Sequence, residues 1–369
     1  MPKVILISQF PLPYSKIGSW TTMYKKYLEG NHKIDIIVCP EPENLFLNVD
    51  YSYVPSNFKV KFLKKVTKNR YLGYFKALQK IIEPNQKYII QIIDNHGVVL
   101  PLNKFLIEEK LRVNCYLQFF YHGYPPFFGN FESRPFFEAI EEHVVLTFDS
   151  YKAYKNGYTE LPCVFNVLHN GVNCDVFFPL KGNDKADLRL EHNVLENKLI
   201  FIWCSQDRPK KGLDFILRVW KQLILKYDNI ELWVIGCKRV IDLKGVKNIG
   251  RVPNNEIAKY YQLADFYLFP SLWHEGFGLS LTEALKCGCY CIASNNGGIP
   301  EVLNYGQYGK LIENPNFIYE WIEEIENSIL EYTNNGNNNP YLTQLPKKLY
   351  SLNNWCERMN NIIEKVNFF

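Results

Sequence analysis

The chain has 369 residues, of which 47% are hydrophobic, and its 42 basic and 38 acidic side chains leave a net charge of +4. This length predicts about two domains of roughly 150 residues each, and the weak charge argues against a nucleic-acid partner. No apolar run approaches the roughly 20 residues of a membrane span, and the first residues show no signal-peptide pattern. The ten scattered cysteines predict reduced thiols, so we expect a cytoplasmic protein.

One segment, residues 59–70, is locally basic and has two interpretations. The simpler one is a solvated strand edge and loop. The alternative is a patch for anionic lipid or a phosphorylated acceptor, with weak peripheral contact at the inner face of a membrane. The basic residues are Lys59, Lys61, Lys64, Lys65, Lys68 and Arg70.

The first half of the chain alternates strand and helix patterns. Short apolar runs, typical of parallel strands buried on both faces, predict strands over residues 4–7, 34–38, 88–93, 115–120, 144–147 and 164–168. Helical patterns cover residues 19–28, 71–82 and 103–110, and Ser19 is a suitable cap for the first helix. Apart from the helix over 71–82, residues 41–87 give no specific signal.

The alternation is interrupted at residues 170–179, and a charged stretch over 181–196 is interpreted as the link between two domains. Strand patterns resume over 199–204, 230–235 and 266–269, and helical patterns cover 213–226, 255–263 and 355–366. Strands that alternate with helices in two blocks predict two doubly wound α/β domains. Neither block has G-x-G-x-x-G after its first strand, which disfavours a dinucleotide oxidoreductase.

Polar loops follow several of these strands. Because parallel sheets bind ligands at the carboxyl ends of their strands, we expect the loops to line one cleft between the domains. The loops contain Gly18 and Ser19, residues 94–96, His122, residues 206–211, Glu275 and residues 295–301.

The most informative loop covers residues 270–285 and reads Pro-Ser-Leu-Trp-His-Glu-Gly-Phe-Gly-Leu-Ser-Leu-Thr-Glu-Ala-Leu. Glu275 lies in its glycine-bearing part, and Glu283 lies eight positions later, inside the helix that the loop opens. The unpaired N–H groups at such a helix start can bind an anion. A sugar, a phosphate and a ribose could therefore lie in a row along this segment.

This two-glutamate motif, followed by Gly297-Gly298-Ile299-Pro300-Glu301, resembles the signature of family 4 retaining glycosyltransferases, the group 1 glycosyl transferases. The resemblance covers most of the chain and is strongest over residues 199–303. It implies a GT-B fold, in which two Rossmann-like domains face each other across a cleft. The expected domains are an acceptor-side domain over 1–175, joined by a returning helix over 351–369, and a donor-binding domain over 176–350.

The resemblance also implies roles for residues in the central loop. Glu275 would contact hydroxyl groups of the donor sugar, whereas the simpler interpretation is a first-turn acid that favours the helix dipole. The N–H groups near Gly278 and Leu279 would contact the donor phosphates. Glu283 would accept both ribose hydroxyl protons, since a carboxylate offers two acceptor oxygens. A solvated helix acid is the alternative for Glu283.

Cations for the donor diphosphate are expected in the loop over residues 206–211. Lys211, before a glycine at the head of a helix, suits a pyrophosphate. The family places an arginine about five residues earlier, where this chain has Gln206, so either Arg208 replaces it or the donor is held more weakly. A solvated loop charge is the alternative for Arg208.

Three further residues correspond to family positions. His122 follows an aromatic strand, where the family has a histidine near the donor sugar. Gly18 belongs to the family's first glycine loop, and Arg251 lies where the wall of the nucleobase pocket is built. A structural histidine and a surface arginine are the alternatives for His122 and Arg251, and His96 fits an acceptor-side or a structural role equally.

The resemblance implies a metal-independent, retaining transferase that moves a hexose-like sugar from a nucleotide-diphosphate sugar to a hydroxyl of a saccharide or lipid-linked saccharide. No Asp-x-Asp sequence is present, no cofactor is expected, and Cys287, Cys289 and Cys291 are interpreted as packing residues rather than metal ligands. Polysaccharide or glycoconjugate assembly is the expected setting. A nucleotide-sugar epimerase or sugar phosphorylase of the same fold, and a non-catalytic nucleotide-sugar-binding subunit, remain the alternatives.

Overall fold

A computed structural model describes residues 2–14, 20–55, 65–66, 69–125, 133–158 and 160–368. The chain divides into two compact units. The first comprises residues 1–170 and 353–369, and the second comprises residues 171–352. Each unit is built around one parallel β-sheet.

The first unit contains a seven-stranded sheet in the order β3-β2-β1-β4-β5-β6-β7, and all its pairs are parallel. Its central strands carry apolar side chains on both faces of the sheet, and these side chains are buried, as the continuous apolar runs predict. The strands are β1 Lys3–Ile7, β2 Ile36–Cys39, β3 Asp50–Tyr53, β4 Tyr88–Ile93, β5 Cys115–Tyr121, β6 Glu142–Val145 and β7 Val164–Val167.

The following helices belong mainly to this unit. They are α1 Trp20–Leu28, α2 Leu72–Leu78, α3 His96–Glu108, α4 Ser133–Glu138, α5 Phe148–Gly157 and the final helix α12 Leu352–Glu364. The prediction that α3 begins at residue 103 was wrong, because the helix accommodates both Gly97 and Pro101. Edge strand β3 was missed, since only Ser52 of its four residues is buried and no apolar run marks it.

The second unit contains a six-stranded parallel sheet in the order β10-β9-β8-β11-β12-β13. Its strands are β8 Leu199–Cys204, β9 Ile230–Ile235, β10 Val246–Gly250, β11 Phe266–Phe269, β12 Tyr290–Ser294 and β13 Lys310–Ile312. Its helices are α6 Asn183–Glu191, α7 Leu213–Leu223, α8 Ile257–Leu263, α9 Leu279–Lys286, α10 Ile299–Val302 and α11 Ile318–Asn334. In the part of the chain that is described, no helix is long and apolar enough to cross a membrane.

The charged stretch over 181–196 is not simply a link, because it folds as α6 within the second unit. Its Lys185 and Arg189 approach the fully buried carboxylate of Asp265 at 2.9 and 3.0 Å. The same carboxylate accepts hydrogen bonds from the Ile200 N–H at 2.8 Å and the Tyr332 hydroxyl at 2.8 Å. Burial alone would raise the pKa of Asp265, but the two cations and the N–H together lower it below its usual value.

Replacing Asp265 tests this anchor. Asp265→Asn should destabilise the second unit by about 3–5 kcal/mol at pH 7, because two cations lose their buried counter-charge. A carboxyl group whose pKa is lowered by folding contributes stability above its unfolded pKa of about 3.9, and loses it as the pH falls through the folded value. The difference from wild type should therefore shrink below about pH 4 in denaturation curves. Glu256→Gln, which removes an exposed 3.2 Å pair with Lys259, is the control and should cost less than about 1 kcal/mol.

Candidate active site

The strand order of the second sheet places one crevice at its carboxyl edge. From β8 the chain adds β9 and β10 on one side, and then β11 and the later strands on the other, so the order of strand addition reverses between β8 and β11. Ligands of doubly wound sheets bind at this switch point. The loop after β8 contains Lys211 and the loop after β11 contains Glu275, so topology brings these two predicted residues together.

Lys211, Ser271 and Glu275 form one polar cluster. Lys211 Nζ lies 2.6 Å from Glu275 Oε1, and the Ser271 hydroxyl lies 2.7 Å from the same oxygen. The side chains of Lys211 and Glu275 are 22% and 16% exposed, so a small ligand can reach both. The sequence did not identify Ser271 as a member of the cluster, although it lies in the same loop, four residues before Glu275.

Close backbone contacts hold the two loops of the cluster in place. The Leu272 N–H donates to the Lys210 carbonyl at 2.8 Å. A Cβ on Gly212, which has φ of +72°, would lie 1.9 Å from the Pro270 carbonyl oxygen, so this position requires glycine. The loop after β12 joins them, because the Gly298 N–H donates to the Glu275 carbonyl at 2.8 Å.

Helix α9 begins directly after Glu275's loop. Its cap residue Gly278 has φ of +84° and, being glycine, offers the first turn no side-chain cap. The first turn, which starts at Leu279, also contains no acidic residue. This helix start can therefore receive an anion on its N–H groups.

Glu283, on the second turn of α9, is half-buried, and its carboxylate has no hydrogen-bond or ion-pair partner among the described residues. Burial beside apolar and phenolic groups, which include Tyr261 and Tyr267, raises the pKa of Glu283 to about 8. A carboxyl group in this state favours hydroxyl groups of a ligand, because no protein donor satisfies its oxygens.

Arg208 and Arg251 are both exposed, and neither guanidinium is hydrogen-bonded or ion-paired within the described ranges. Gln206 is exposed as well. The neighbouring Asp207 pairs with Arg239 at 2.9 Å, so it does not neutralise Arg208. The positive charge of this loop is therefore available to an anionic ligand.

His122 lies in the first unit, where Asp94 fixes it. Asp94 Oδ1 accepts the His122 N–H at 2.7 Å and lies 3.2 Å from Nδ1 of the ring. The ring also stacks on Trp20, with centroids 5.7 Å apart. Asp94 has φ of +53° at the end of β4, so the sequence indicated a polar loop there without assigning Asp94 this role.

The other candidate positions of the first unit are His96, Gly18 and the basic segment over 59–70. His96 packs among Phe119, Tyr121 and Phe136, and its burial lowers its pKa to about 4, so the ring is neutral at pH 7. Gly18 and Ser19 lie outside the described residues, as does most of the basic segment over 59–70.

The cysteines behave as packing residues. All ten are free thiols, and Cys287, Cys289 and Cys291 are buried where α9 ends and β12 begins. Across the described ranges, no group of three or more His, Cys, Asp or Glu side chains is placed to hold a metal ion.

Comparison with known proteins identifies the class of the second unit. Residues 184–339, which contain Lys211, Glu275 and Glu283, match the family model described as glycosyl transferases group 1. The second unit therefore carries a group 1 glycosyl transferase domain, which confirms the resemblance of the two-glutamate motif to the group 1 glycosyl transferases.

Individual relatives agree with this class. A probable sucrose-phosphate synthase of Thermosipho melanesiensis is 27% identical over 234 residues, which cover 59% of this chain and 51% of the relative. The N-acetyl-alpha-D-glucosaminyl L-malate synthase of Bacillus anthracis is 30% identical over 154 residues, which cover 40% of this chain and 39% of the relative. The chain thus matches about half or less of the length of these curated relatives.

A solved structure shows the same fold over the whole chain. HepE of Anabaena, in complex with UDP, superposes with a TM-score of 0.73 at 15% identity, covering 99% of this chain and 100% of HepE. At this identity the likeness establishes the fold alone, and it confirms the predicted GT-B class.

The raised pKa of Glu283 gives a testable pH dependence. A carboxyl group whose pKa is raised by folding holds its proton more tightly in the folded state, so stability falls as pH rises from about 4.3 towards 8. Wild type should lose up to about 1.4 kcal/mol per pH unit relative to Glu283→Gln over this range. Urea denaturation at several pH values measures it, with Glu191→Gln, at an exposed carboxylate, as the control. Parallel curves for wild type and Glu283→Gln would contradict the burial of this carboxyl group.

Proposed function

We propose that this protein is a family 4 retaining glycosyltransferase that moves a hexose-like sugar from a nucleotide-diphosphate sugar to a hydroxyl of a saccharide or lipid-linked saccharide. The observation that carries the proposal is the Lys211–Ser271–Glu275 cluster beside the uncapped start of α9, inside the matched region 184–339. We place the reaction in polysaccharide or glycoconjugate assembly. Free thiols at all ten cysteines support a cytoplasmic location.

The donor would lie along the carboxyl edge of the second sheet. Its sugar hydroxyls would meet Glu275, its diphosphate would meet Lys211 and the N–H groups at Gly278 and Leu279, and its ribose would meet Glu283. Because Lys211 and Glu275 are paired at 2.6 Å, the donor exchanges one ion pair for two ligand contacts. The existing ion pair keeps Lys211 aligned before the donor arrives, which lowers the cost of ordering its side chain.

The proposed chemistry uses the leaving group as the base. The acceptor oxygen forms a bond to the anomeric carbon on the face from which the diphosphate departs. The bond from that carbon to the phosphate oxygen breaks with its electron pair, and the departing phosphate takes the acceptor's proton. Lys211, Arg208 and the start of α9 would stabilise the charge on the diphosphate without a metal ion. Glu275 would position the sugar and form no covalent intermediate.

The ligands of a structurally similar protein suggest which nucleotide sugar to test first. HepE has been solved with UDP, with UDP and glucose, and with UDP-glucose, so UDP-glucose is the first donor to test here.

The epimerase, phosphorylase and binding-subunit alternatives gain no support from the relatives matched. A thermal-shift panel of UDP-, GDP- and ADP-sugars identifies the donor, because only a ligand of the folded state raises the melting temperature. Turnover of that donor without an acceptor to an epimeric nucleotide sugar would favour the epimerase.

Neighbouring lysines give a matched test of the diphosphate contact. Lys211→Met should lower the kcat/KM for donor consumption by about 100-fold, roughly 3 kcal/mol, because it removes a cation that acts on the leaving diphosphate. Lys210→Met removes an exposed lysine one position earlier and should change the value less than about threefold. Equal effects from both variants would show that Lys211 acts only through overall charge.

Arg208 and Gln206 test how the loop departs from the family pattern. If Arg208 replaces the expected arginine, Arg208→Ala should weaken donor binding by roughly tenfold in calorimetric titration, about 1.4 kcal/mol. Adding Gln206→Arg to that variant should restore at least half of the lost binding free energy. Arg218→Ala, at an exposed position on α7, is the control. Unchanged donor affinity in Arg208→Ala would assign Arg208 to the solvated surface.

A further inference from the structure

Arg70 is a cation of the first unit that none of the contacts discussed so far uses. Its guanidinium lies over the ring of Tyr71, 4.7 Å from the centroid, and has no hydrogen-bond or ion-pair partner among the described residues. It also approaches the first turn of α3 closely, since a Cβ on Gly97 would lie 2.4 Å from Nη2 of Arg70. The absence of a side chain at Gly97 leaves this backbone exposed and open to Arg70.

An open cavity of about 470 Å³ lies between this arginine and the flank of α3. Its walls combine two cations with apolar surface. Arg70 and Lys104 supply the charge, while Leu100, Pro101 and the Tyr71 ring supply the apolar part. The nearest counter-charge on α3 is Glu108, which is exposed and pairs loosely with Lys104 at 3.8 Å. No carboxylate lines the described walls, so the cavity complements an anion that carries an apolar group.

The cavity is close to the part of the first unit that holds His122. The Tyr71 hydroxyl donates to Asn95 Oδ1 at 3.4 Å, and Asn95 directly follows Asp94, the residue that fixes His122. Asp94 and Asn95 both belong to the loop after β4, at the carboxyl edge of the first sheet. A ligand seated against Arg70 would therefore extend from the same edge as His122.

We propose that this cavity binds the phosphate ester of an amphipathic acceptor, with the phosphate on Arg70 and the adjoining hydrocarbon against Leu100, Pro101 and Tyr71. Guanidinium recognises phosphate through paired N–H donors, and Lys104 adds a second, mobile cation. The inference rests on the proposed transferase function and specifies its acceptor as a lipid phosphate rather than a neutral saccharide.

Hexyl phosphate is a probe that separates the parts of this ligand. Calorimetric titration of the full chain should show hexyl phosphate binding at least fivefold more tightly than either inorganic phosphate or 1-hexanol. Arg70→Gln should weaken hexyl phosphate binding by roughly tenfold, and Lys104→Gln by about threefold. Arg218→Gln removes the same charge from an exposed position of the second unit and should leave the affinity unchanged.

Three results of these titrations would overturn the inference. Equal affinity for hexyl phosphate and inorganic phosphate would show a simple anion site, and equal affinity for hexyl phosphate and 1-hexanol would show an apolar groove. Wild-type affinity in Arg70→Gln would also overturn it. Arg70→Lys, which retains charge and fold but loses the planar fork, should show an intermediate loss. The melting-temperature shift with UDP-glucose should be the same in Arg70→Gln and wild type, so a failure of donor binding is recognised separately.

Discussion

The parallel pairing of β8 with β11 is the constraint on which the candidate donor site depends. It aligns Phe201 with Phe266 and Ile202 with Tyr267, so both strands end at the same edge of the sheet. Lys211 and Glu275 are 64 residues apart in the chain, yet this pairing brings their charged atoms to 2.6 Å. The pair then orients two groups that a sugar nucleotide needs, one anionic and one cationic, before any ligand is present.

The opposite edge of the same sheet is held by Asp265. Its carboxylate accepts from the Ile200 N–H, its own N–H donates to the Ile200 carbonyl at 2.9 Å, and its carbonyl accepts from the Tyr290 N–H at 2.8 Å. One residue thus joins β8, β11 and β12 where these strands begin. Because Lys185 and Arg189 neutralise it, a charge can be buried there at acceptable cost.

The two edges of this sheet differ in whether their ionisable side chains have protein partners. At the beginning of the strands, the charge of Asp265 is fully matched by protein groups. At their ends, Glu283 has no protein partner within the described chain, and Arg208 remains exposed beside an aspartate that is already paired. A carboxyl group that is desolvated without a partner lowers stability, so its place at the carboxyl edge is what a ligand-binding surface requires.

The sequence alone determined the α/β alternation, the buried strands and the family resemblance, because apolar runs and the Glu275–Glu283 spacing are local properties of the chain. It also placed Glu283 on a helix, which α9 confirms. Tertiary structure decided what depends on residues far apart: Ser271 and Lys211 meeting on one oxygen, Asp94 fixing His122, and Asp265 recruiting the stretch over 181–196 as a helix. It likewise lowered the pKa of His96 and raised that of Glu283, because burial is set by packing that no local pattern encodes.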